Sequence, residues 1–518
     1  MCIKVGRVCE YKETPDRRTR GARTLTPDAI APRLVDPSQA DLTPAERHYL
    51  QLFRVATSGQ CAGNIVDEFW QRLIHRVSEA EPAVQHAAIA ISAIHGHFLR
   101  EPSVSSPSSS QSSASYSLTK PASPKSGPES HLLLDVDFSF PIQQCNKAII
   151  SLRENLTKVG AHVTSSAHRE AVLVTCAALV TLALFQEDVK AVMKHLVSGH
   201  RLLLEWKKDD YNGNSSGPIL MRVFEDLQLH RMTFSSRKTS IGQAHIPIWQ
   251  NFTKACESYS RGYAEKGTAS ELLVILSSMV SANLPRKLHN GKRSKLNPLV
   301  DTATEILAGS KDFVPDTAMG RLLIWRIQLD NFVLATEGQL SAAELTPLIL
   351  IEIWTEFIYL MAIYANSHQD EMLYDAYLPN FQRINKLSAL FLKAEHQTGM
   401  FCAKVMFLPP VYFCAHRCRD WYTRRESLRL ISSSRRREGF WASAGASAVL
   451  SYFIDVESTG LGPDDIIPIH SRIDMMFVYP TTDKLKGSVW YHRPASPEEI
   501  AGGADNHGIW TKMEFPTW

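Results

Sequence analysis

Two segments of this 518-residue chain are too apolar to lie on a protein surface as helices. Residues 170–187 place apolar side chains on nearly every helical face, and Leu348–Ala365 forms a second stretch of this kind. The second stretch includes Glu352 and Glu356, one helical turn apart, and two carboxylates near the middle of a lone membrane span are costly in lipid. Helices that are apolar all round belong inside a protein. The chain is therefore expected to have a large helical core and no membrane span.

Apolar residues recur at helical spacing through most of the chain, and strand-like alternation is scarce before about residue 470. Thr43-Pro44-Ala45-Glu46 has the capping-box pattern of a helix start. The predicted fold class is all-α, a large helical domain built of antiparallel helix pairs. Helices are predicted near residues 44–53, 65–77, 82–98, 138–152, 170–187, 189–206, 218–234, 249–265, 268–283, 299–308, 316–335, 344–366, 370–396 and 397–420.

Three segments lack this apolar period and set the expected domain boundaries. Residues 12–43 are rich in proline and indicate an extended linker. Residues 101–135 are dominated by serine and proline, which predicts a disordered insert. The helical domain is thus expected to start over residues 44–100 and to continue over 136–480, with an irregular C-terminal tail at 481–518.

Charge and cysteine content narrow the classes of function. The 56 Lys and Arg residues nearly balance the 53 Asp and Glu residues, so the chain as a whole carries no basic signal for nucleic acid. The basic bias is local: residues 1–23 have a basic excess, which can contact phosphates or form a solvated tail. The nine scattered cysteines argue against a disulfide framework and for a reducing compartment. No signal peptide is visible.

The first eleven residues contain two cysteines, Cys2 and Cys9, that enclose six residues. Lys4 and Arg7 lie between them and can face phosphate, and Gly6 permits a tight turn. Two thiolates do not close a structural zinc site, which needs four ligands in tetrahedral geometry. The spacing alone therefore favours free thiols in a frayed terminus over a partial zinc loop.

The stretch nevertheless resembles the last third of the fungal binuclear zinc cluster, the Zn₂Cys₆ DNA-binding module. By that resemblance Cys2 and Cys9 match the fifth and sixth of six zinc ligands, and the first four are absent because the chain begins at Met1. The resemblance implies zinc as a cofactor only if the missing upstream cysteines are present. It also implies that Lys4 and Arg7 contact DNA phosphates and that the protein acts in the nucleus.

Several later segments resemble the helical regulatory domain, or middle homology region, of the same family. The resemblance covers residues 82–95, residues 176–204 and a set of C-terminal motifs, and it spans about residues 45–475. The two partial resemblances occur in the order that the family shows. The C-terminal motifs are Pro409-Pro410-Val411-Tyr412-Phe413, Cys418-Arg419-Asp420, Arg424-Arg425-Glu426-Ser427 and Arg435-Arg436-Arg437-Glu438-Gly439-Phe440-Trp441.

We interpret the arginines of these motifs as structural, paired with nearby acids at helix ends and between helices. Binding of phosphate or DNA is the alternative, but a solvated and paired surface is preferred because the acidic partners are close in sequence. Phe440 and Trp441 are expected to begin the next helix and to pack inward. The arginines are Arg424, Arg425, Arg435, Arg436 and Arg437, and the acids are Glu426 and Glu438.

Motifs of the common enzyme classes are not found in the sequence. Asp209-Asp210 approaches the Asp-rich motif of all-α terpene synthases, but the final carboxylate is missing, and a polar helix end explains it better. Cys414 and Cys418 share a helix face and are expected to be buried thiols. Histidines His86, His95 and His97 are expected on polar helix faces. The chain is therefore predicted not to be an enzyme.

Two hypotheses arise for the function. The first is a pathway-specific fungal regulator of RNA polymerase II transcription, as for a secondary-metabolite gene cluster; residues 1–11 are then the end of a zinc cluster that binds DNA. The second is a co-regulator that lacks DNA binding of its own and acts through intact partners, as a homodimer or heterodimer with other zinc-cluster regulators. The presence or absence of four upstream cysteines distinguishes the two.

Overall fold

The chain divides into two compact units, Met1–Thr43 and Pro44–Trp518. The computed structural model describes residues 41–63, 67–100, 139–158, 166–209, 216–234, 341–366, 371–395, 399–480, 486–505 and 508–516, with short pieces between 322 and 340. All the helices and strands that it describes belong to the second unit. Of the described residues, 76% are helical and 7% lie in strands, which confirms the predicted all-α class.

The first half of the second unit packs its helices around one apolar core. Pro44 and Pro82 each occupy the first position of a helix, where a missing N–H costs nothing and the fixed φ angle is already helical. The elements are α1 (Pro44–Leu52), a π-helix (Phe53–Thr57), α2 (Ser58–Cys61), a second π-helix (Phe69–Leu73), α3 (Ile74–Ala80), α4 (Pro82–Arg100), α5 (Ser139–Lys158), α6 (Ser166–Phe185), α7 (Val189–Asp209) and α8 (Gly217–Phe234).

The second half surrounds a separate core. Its elements combine long helices with two small sheets, of strand order β1-β2-β3 and β4-β5-β6. They are α9 (Ala342–Asn366), a 3₁₀ helix (Glu371–Tyr377), α10 (Leu378–Glu395), β1 (Met400–Cys402), α11 (Leu408–Arg417), α12 (Trp421–Ser433), β2 (Arg436–Glu438), β3 (Trp441–Ala442), α13 (Ser443–Glu457), a second 3₁₀ helix (Ile469–Ser471), β4 (Met475–Pro480), β5 (Lys486–Arg493), α14 (Pro497–Ala501) and β6 (Ile509–Pro516).

Two helices among the described residues are long and apolar enough to cross a membrane, but most of each is buried inside the protein. The buried share is 89% for Ser166–Phe185 and 72% for Leu345–Ile363. Glu352 and Glu356 of α9 have cationic partners: Arg326 lies 2.7 Å from Glu356, and Arg383 lies 3.2 Å from Glu352. Both helices are therefore core helices, because they are covered by protein and the acids Glu352 and Glu356 are paired.

Strand β1 separates the two cores. Neighbouring side chains of a strand point to opposite faces, so Phe401 enters the first core while Met400 and Cys402 enter the second. The ring of Phe401 stacks 4.1 Å from that of Phe185 and 4.8 Å from that of His95. The first core is therefore completed by a residue that lies far along the chain.

The prediction of a continuous helix over residues 397–420 is wrong. The chain is extended at β1 and becomes helical only at Leu408, because Pro409 and Pro410 have no amide N–H and suit the first turn of α11. The helix predicted over 370–396 begins as a 3₁₀ segment before α10. The predicted helices at 249–265, 268–283 and 299–308, and the insert at 101–135, lie outside the described residues.

The expected irregular tail at 481–518 contains regular structure instead. Strand β5 pairs antiparallel with β4 and with β6, and the short helix α14 lies between β5 and β6. Val489 and Tyr491 face the second core, whereas Trp490 is 40% exposed on the other face. Because both faces of β5 carry apolar side chains, the polar–apolar alternation that indicates a strand is missing from its sequence.

His95 lies inside the first core and not on a polar helix face as predicted. Its Nδ1 is 2.8 Å from Thr57 Oγ1, and burial lowers the pKa of its imidazole to about 4. The small residues of α4 allow close packing on both sides, so the polar side of this helix is also covered. His86 is half-buried and hydrogen-bonds Gln144 Oε1 through its Nδ1 at 2.8 Å.

We expect acid to destabilise the protein through His95. The pKa of the buried imidazole is about 4, below the unfolded value of 6.5, so the unfolded state binds more protons between these pH values. Stability should therefore fall as the pH drops through 6.5, by about 1.4 kcal/mol per pH unit for this residue, and the loss should level off below about pH 4.

Urea unfolding followed across this pH range measures the slope. The variant His95→Gln retains a hydrogen-bonding partner for Thr57 and does not titrate, so its slope should be shallower than that of the wild type. Identical slopes for the two proteins would show that His95 contributes nothing to the acid sensitivity.

Candidate functional site

The residues that the sequence marks as zinc and DNA ligands, Cys2, Lys4, Arg7 and Cys9, lie outside the described residues. Within the part of the chain that the structure describes, no three or more His, Cys, Asp or Glu side chains are grouped so as to hold a metal ion. The remaining candidate is the arginine-rich C-terminal region, from Arg417 to Arg437.

The arginines of this region are paired, but the prediction that they form a solvated surface is wrong. Arg424, Arg436 and Arg437 are each at most 4% exposed, and the last two lie in strand β2 between the two cores. Each guanidinium is matched to a carboxylate or carbonyl, mostly on a distant element. Because these partners are distant in the sequence, the run of arginines was predicted to lie on the surface although it is buried. Arg425 is half-buried, with its guanidinium 3.3 Å from the ring centre of Trp421.

Glu438 is the centre of the first buried group of charges. Its carboxylate accepts hydrogen bonds from the backbone N–H groups of Met406, Phe407 and Leu408 at 3.0–3.1 Å, and from Arg436 Nε at 2.9 Å. These amides precede and open α11, and a carboxylate at a helix N-terminus also interacts favourably with the helix dipole. Glu438 therefore positions the start of α11.

Arg436 extends this group to α10. Its guanidinium binds the carboxylate of Glu395 as well as that of Glu438, and it lies 5.2–5.5 Å from the ring centres of Phe407 and Phe391. The paired acids outweigh the effect of burial and raise the pKa of Arg436 above its usual value. The side chain is thus a permanent cation inside the second core.

The odd-numbered residues of the same segment face the first half of the unit. Arg437 donates to the carbonyl oxygen of Phe185 at 2.8 Å and lies 3.0 Å from the carboxylate of Glu187. Arg435 lies over the ring of Phe98 at 4.6 Å. Glu187 has φ of +59°, a conformation that glycine usually supplies after a helix. Arg437 therefore holds the turn between α6 and α7 against the sheet.

A second group of buried charges joins α12, α13 and the loop before β4. The Glu457 carboxylate accepts hydrogen bonds from Arg419 Nη2 at 2.8 Å, from Arg424 Nη2 at 2.6 Å and from the Ile473 amide at 2.6 Å. Burial acts to raise the pKa of Glu457, but the two arginines hold it below its usual value. Arg419 also pairs with Glu371 at 3.2 Å, so the 3₁₀ helix is tied to the same group.

Gly439 lies at a close contact between the halves. Its φ is +58°, its N–H donates to Cys402 O at 2.9 Å, and a Cβ at this position would lie 2.2 Å from His230 Cε1. His230 in turn donates from Nε2 to Ala403 O at 2.7 Å, and burial lowers its pKa to about 4. Only glycine satisfies both the backbone conformation and the contact.

Phe440 and Trp441 do not begin a helix as predicted. Trp441 lies in β3 and α13 starts at Ser443, while Phe440 packs against the first core. The prediction of buried thiols at Cys414 and Cys418 is confirmed, and burial raises the pKa of both. Their surroundings are apolar and hydrogen-bonded, as for structural cysteines.

A surface cleft of about 520 Å³ lies near the C-terminus, where sequence reasoning predicted only irregular chain. Its walls come from the end of α13, the 3₁₀ helix at Ile469–Ser471, the end of β5 and the start of α14. Ser496 and Glu499 form a full capping box on α14. The pattern Ser496-Pro497-Glu498-Glu499 is the one signal in the sequence that could have located this helix.

The comparisons with known proteins give no further guidance, because no protein family, no curated protein and no solved structure matches the chain. The geometry alone defines the region. It is a junction in which two helical cores are held together by a short sheet and by buried ion pairs, and its arginines are engaged within the protein.

Removing the charge of Glu438 should be strongly destabilising. Glu438→Gln leaves Arg436 and several amides without a full acceptor, and breaking one side of a buried ion pair costs about 3–5 kcal/mol. The matched control is Glu426→Gln, which removes an exposed pair with Arg429 on α12 and should cost about 0.5 kcal/mol or less. Urea unfolding measures both, and equal effects would contradict the role given to Glu438.

A methyl group at Gly439 should also be strongly destabilising. Gly439→Ala combines a left-handed backbone, at about 1–2 kcal/mol, with a clash on His230, and we expect a total of about 3 kcal/mol or more. Gly460→Ala is the control, since its φ is +75° and nothing lies within 4 Å of the added carbon. The double variant His230→Ala, Gly439→Ala should recover part of the difference; a fully additive loss would exclude the clash.

Proposed function

We propose that the chain is a regulator of transcription of the fungal zinc-cluster type, with the end of the DNA-binding cluster at residues 1–11 and a helical regulatory domain from Pro44. The order of features supports this proposal. A cysteine pair is followed by a basic run, then by a proline-bearing stretch, and then by a helical unit that begins at Pro44. Zinc, the nucleus and a pathway-specific set of target genes belong to the same proposal.

The partners of the buried arginines indicate where DNA would not bind. Arg424, Arg436 and Arg437 are occupied by Glu457, Glu438 and Phe185, so these cations are not offered to phosphates. In the proposal DNA is therefore contacted by the N-terminal segment, through Lys4 and Arg7 beside the zinc ligands Cys2 and Cys9. Such phosphate contacts make the affinity for DNA strongly dependent on salt.

The junction between the cores supports a regulatory role for the helical unit. Strands β1 and β2 each send alternate side chains into both halves, so a shift of either half must move the same two strands. A ligand or partner that binds one half can bias the other through such a shared element. We infer that the helix pairs of this unit gate the activity of the DNA-binding segment.

A second candidate is a co-regulator that lacks DNA binding of its own. It applies if no further cysteines precede Cys2 in the native chain, because the two thiolates of Cys2 and Cys9 do not supply the binding energy that folds a zinc cluster. The helical unit would then act by pairing with intact relatives.

The test begins by mapping the 5′ end of the native transcript and the N-terminal peptide of the native protein. If four further cysteines are encoded upstream, we expect that chain to shift DNA in a gel only when zinc is bound. Cys2→Ser and Cys9→Ser should abolish the shift, because each removes a ligand of a six-thiolate cluster. Cys145→Ser, at a half-buried thiol of α5, is the matched control and should leave it unchanged.

The phosphate contacts are measured separately by the salt dependence of binding. Lys4→Ala and Arg7→Ala should each lower the slope of log K against log salt by about 1. If the native chain begins at Met1, binds no zinc and shifts no DNA, the first proposal fails. Recovery of the shift when an intact zinc-cluster protein is added would then support the co-regulator.

A further inference from the structure

One edge of the C-terminal sheet is formed by a long and regular strand. Strand β6 pairs with β5 over all of its 8 residues, Ile509–Pro516, and no strand among the described residues pairs with its other side. The register with β5 is continuous, and the one proline of β6, Pro516, is its last residue. Such an edge presents a row of backbone N–H and C=O groups that a further strand can bind.

Two opposite charges lie on one face of this edge strand. Lys512 and Glu514 are two residues apart, so their side chains point to the same face. Both side chains are exposed, and Lys512 Nζ lies 3.0 Å from Glu514 Oε1. Lys512 is opposite Trp490 of β5, so the two charges stand on the outer face of the sheet, away from the second core. A strand added to this edge would have its outward side chains next to these charges.

The order of the two charges selects the partner strand. Opposite charges that face each other across a strand pair stabilise the pair, and like charges destabilise it. An antiparallel partner must therefore place an acid opposite Lys512 and a base opposite Glu514. Along its own chain, that partner has a base, then any residue, then an acid. Strand β6 itself has this order, Lys512-Met513-Glu514, and is thus complementary to a second copy of itself.

We propose that two copies of the chain associate through β6, antiparallel about a two-fold axis at Met513. The three strands of each copy then form one continuous sheet. Lys512 of each copy faces Glu514 of the other, so the same ion pair occurs twice, as two-fold symmetry requires. The backbone hydrogen bonds of the new strand pair supply affinity. This association concerns the C-terminal sheet alone and does not rest on the proposed function.

The same charges oppose the neighbouring registers. A shift of the partner by two residues in one direction places Lys512 opposite Lys512, and a shift in the other direction places Glu514 opposite Glu514. A shift by one residue turns every side chain of the partner to the other face. The core face of one copy, which includes Met513, would then lie beside the outer face of the other. Charges on edge strands commonly limit pairing, and here they leave the register centred on Met513.

Sedimentation velocity of the full chain measures the association. A single strand pair is a small interface, so the dimer should be weak, and the chain is studied from about 1 to 100 µM. Lys512→Glu places acids opposite acids at both symmetry-related positions, and Glu514→Lys places bases opposite bases. Each variant should raise the dissociation constant of the dimer by about tenfold or more.

A mixture of these two variants is the sharpest arm of the experiment. In a mixed dimer, both acids of one copy face the two lysines of the other copy. The mixture should therefore form dimers about as well as the wild type, although each variant alone does not. The double variant Lys512→Glu, Glu514→Lys should recover in the same way, because it exchanges the two charges and keeps them opposite each other.

The matched control is Arg201→Glu on α7, which reverses an exposed cation that is paired with an acid, Glu205, on another surface. It should dimerise like the wild type, and circular dichroism checks that each variant is folded. Hydrogen exchange gives a second readout. The amides of Ile509–Pro516 should exchange more slowly in the wild-type dimer than in Lys512→Glu, because both edges of β6 are then hydrogen-bonded.

Three results would overturn the proposal. A wild type that stays monomeric over the whole concentration range would leave the edge of β6 to a strand of another protein. A dimer that both charge reversals leave unchanged would be formed by another surface of the chain. A mixture of the two variants that stays monomeric would exclude the pairing of Lys512 with Glu514 across the two-fold axis.

Discussion

The fold depends on one carboxylate that is kept away from water, that of Glu438. It opens α11 through backbone amides and fixes Arg436, which in turn reaches Glu395 on α10. Arg436 and Glu438 hold one face of β2 against the second half. Because neighbouring side chains of a strand point to opposite faces, Arg437 points toward the first half, where it binds the end of α6. Because buried charges are stable only when all their partners are in place, this arrangement favours one relative position of the strands and helices over others.

The long helices could be predicted from the sequence because local sequence patterns determine them. Apolar spacing and the prolines at Pro44 and Pro82 predicted α1 and α4, and the apolar runs predicted α6 and α9. Strand β2 could not be predicted from the sequence. Its residues read as a basic surface run, and what makes them interior is their partners, which lie up to 252 residues away in the chain.

The two candidate sites differ in the same way. The cysteine pair at Cys2 and Cys9 stands in one short stretch, so a resemblance in the sequence was enough to raise it. The cleft has walls from four elements, and nothing in the order of its residues brings His470 near Glu498.

The position of Phe401 has a consequence for synthesis on the ribosome. The first core is built from helices that end at Phe234, yet it includes Phe401 and Ala403. At about 5–20 residues per second, the nascent first half would wait roughly 10–30 s before these side chains are made. During that time the apolar surfaces around Phe185 and His95 have no native cover, and chaperones that bind such surfaces would have their longest opportunity there.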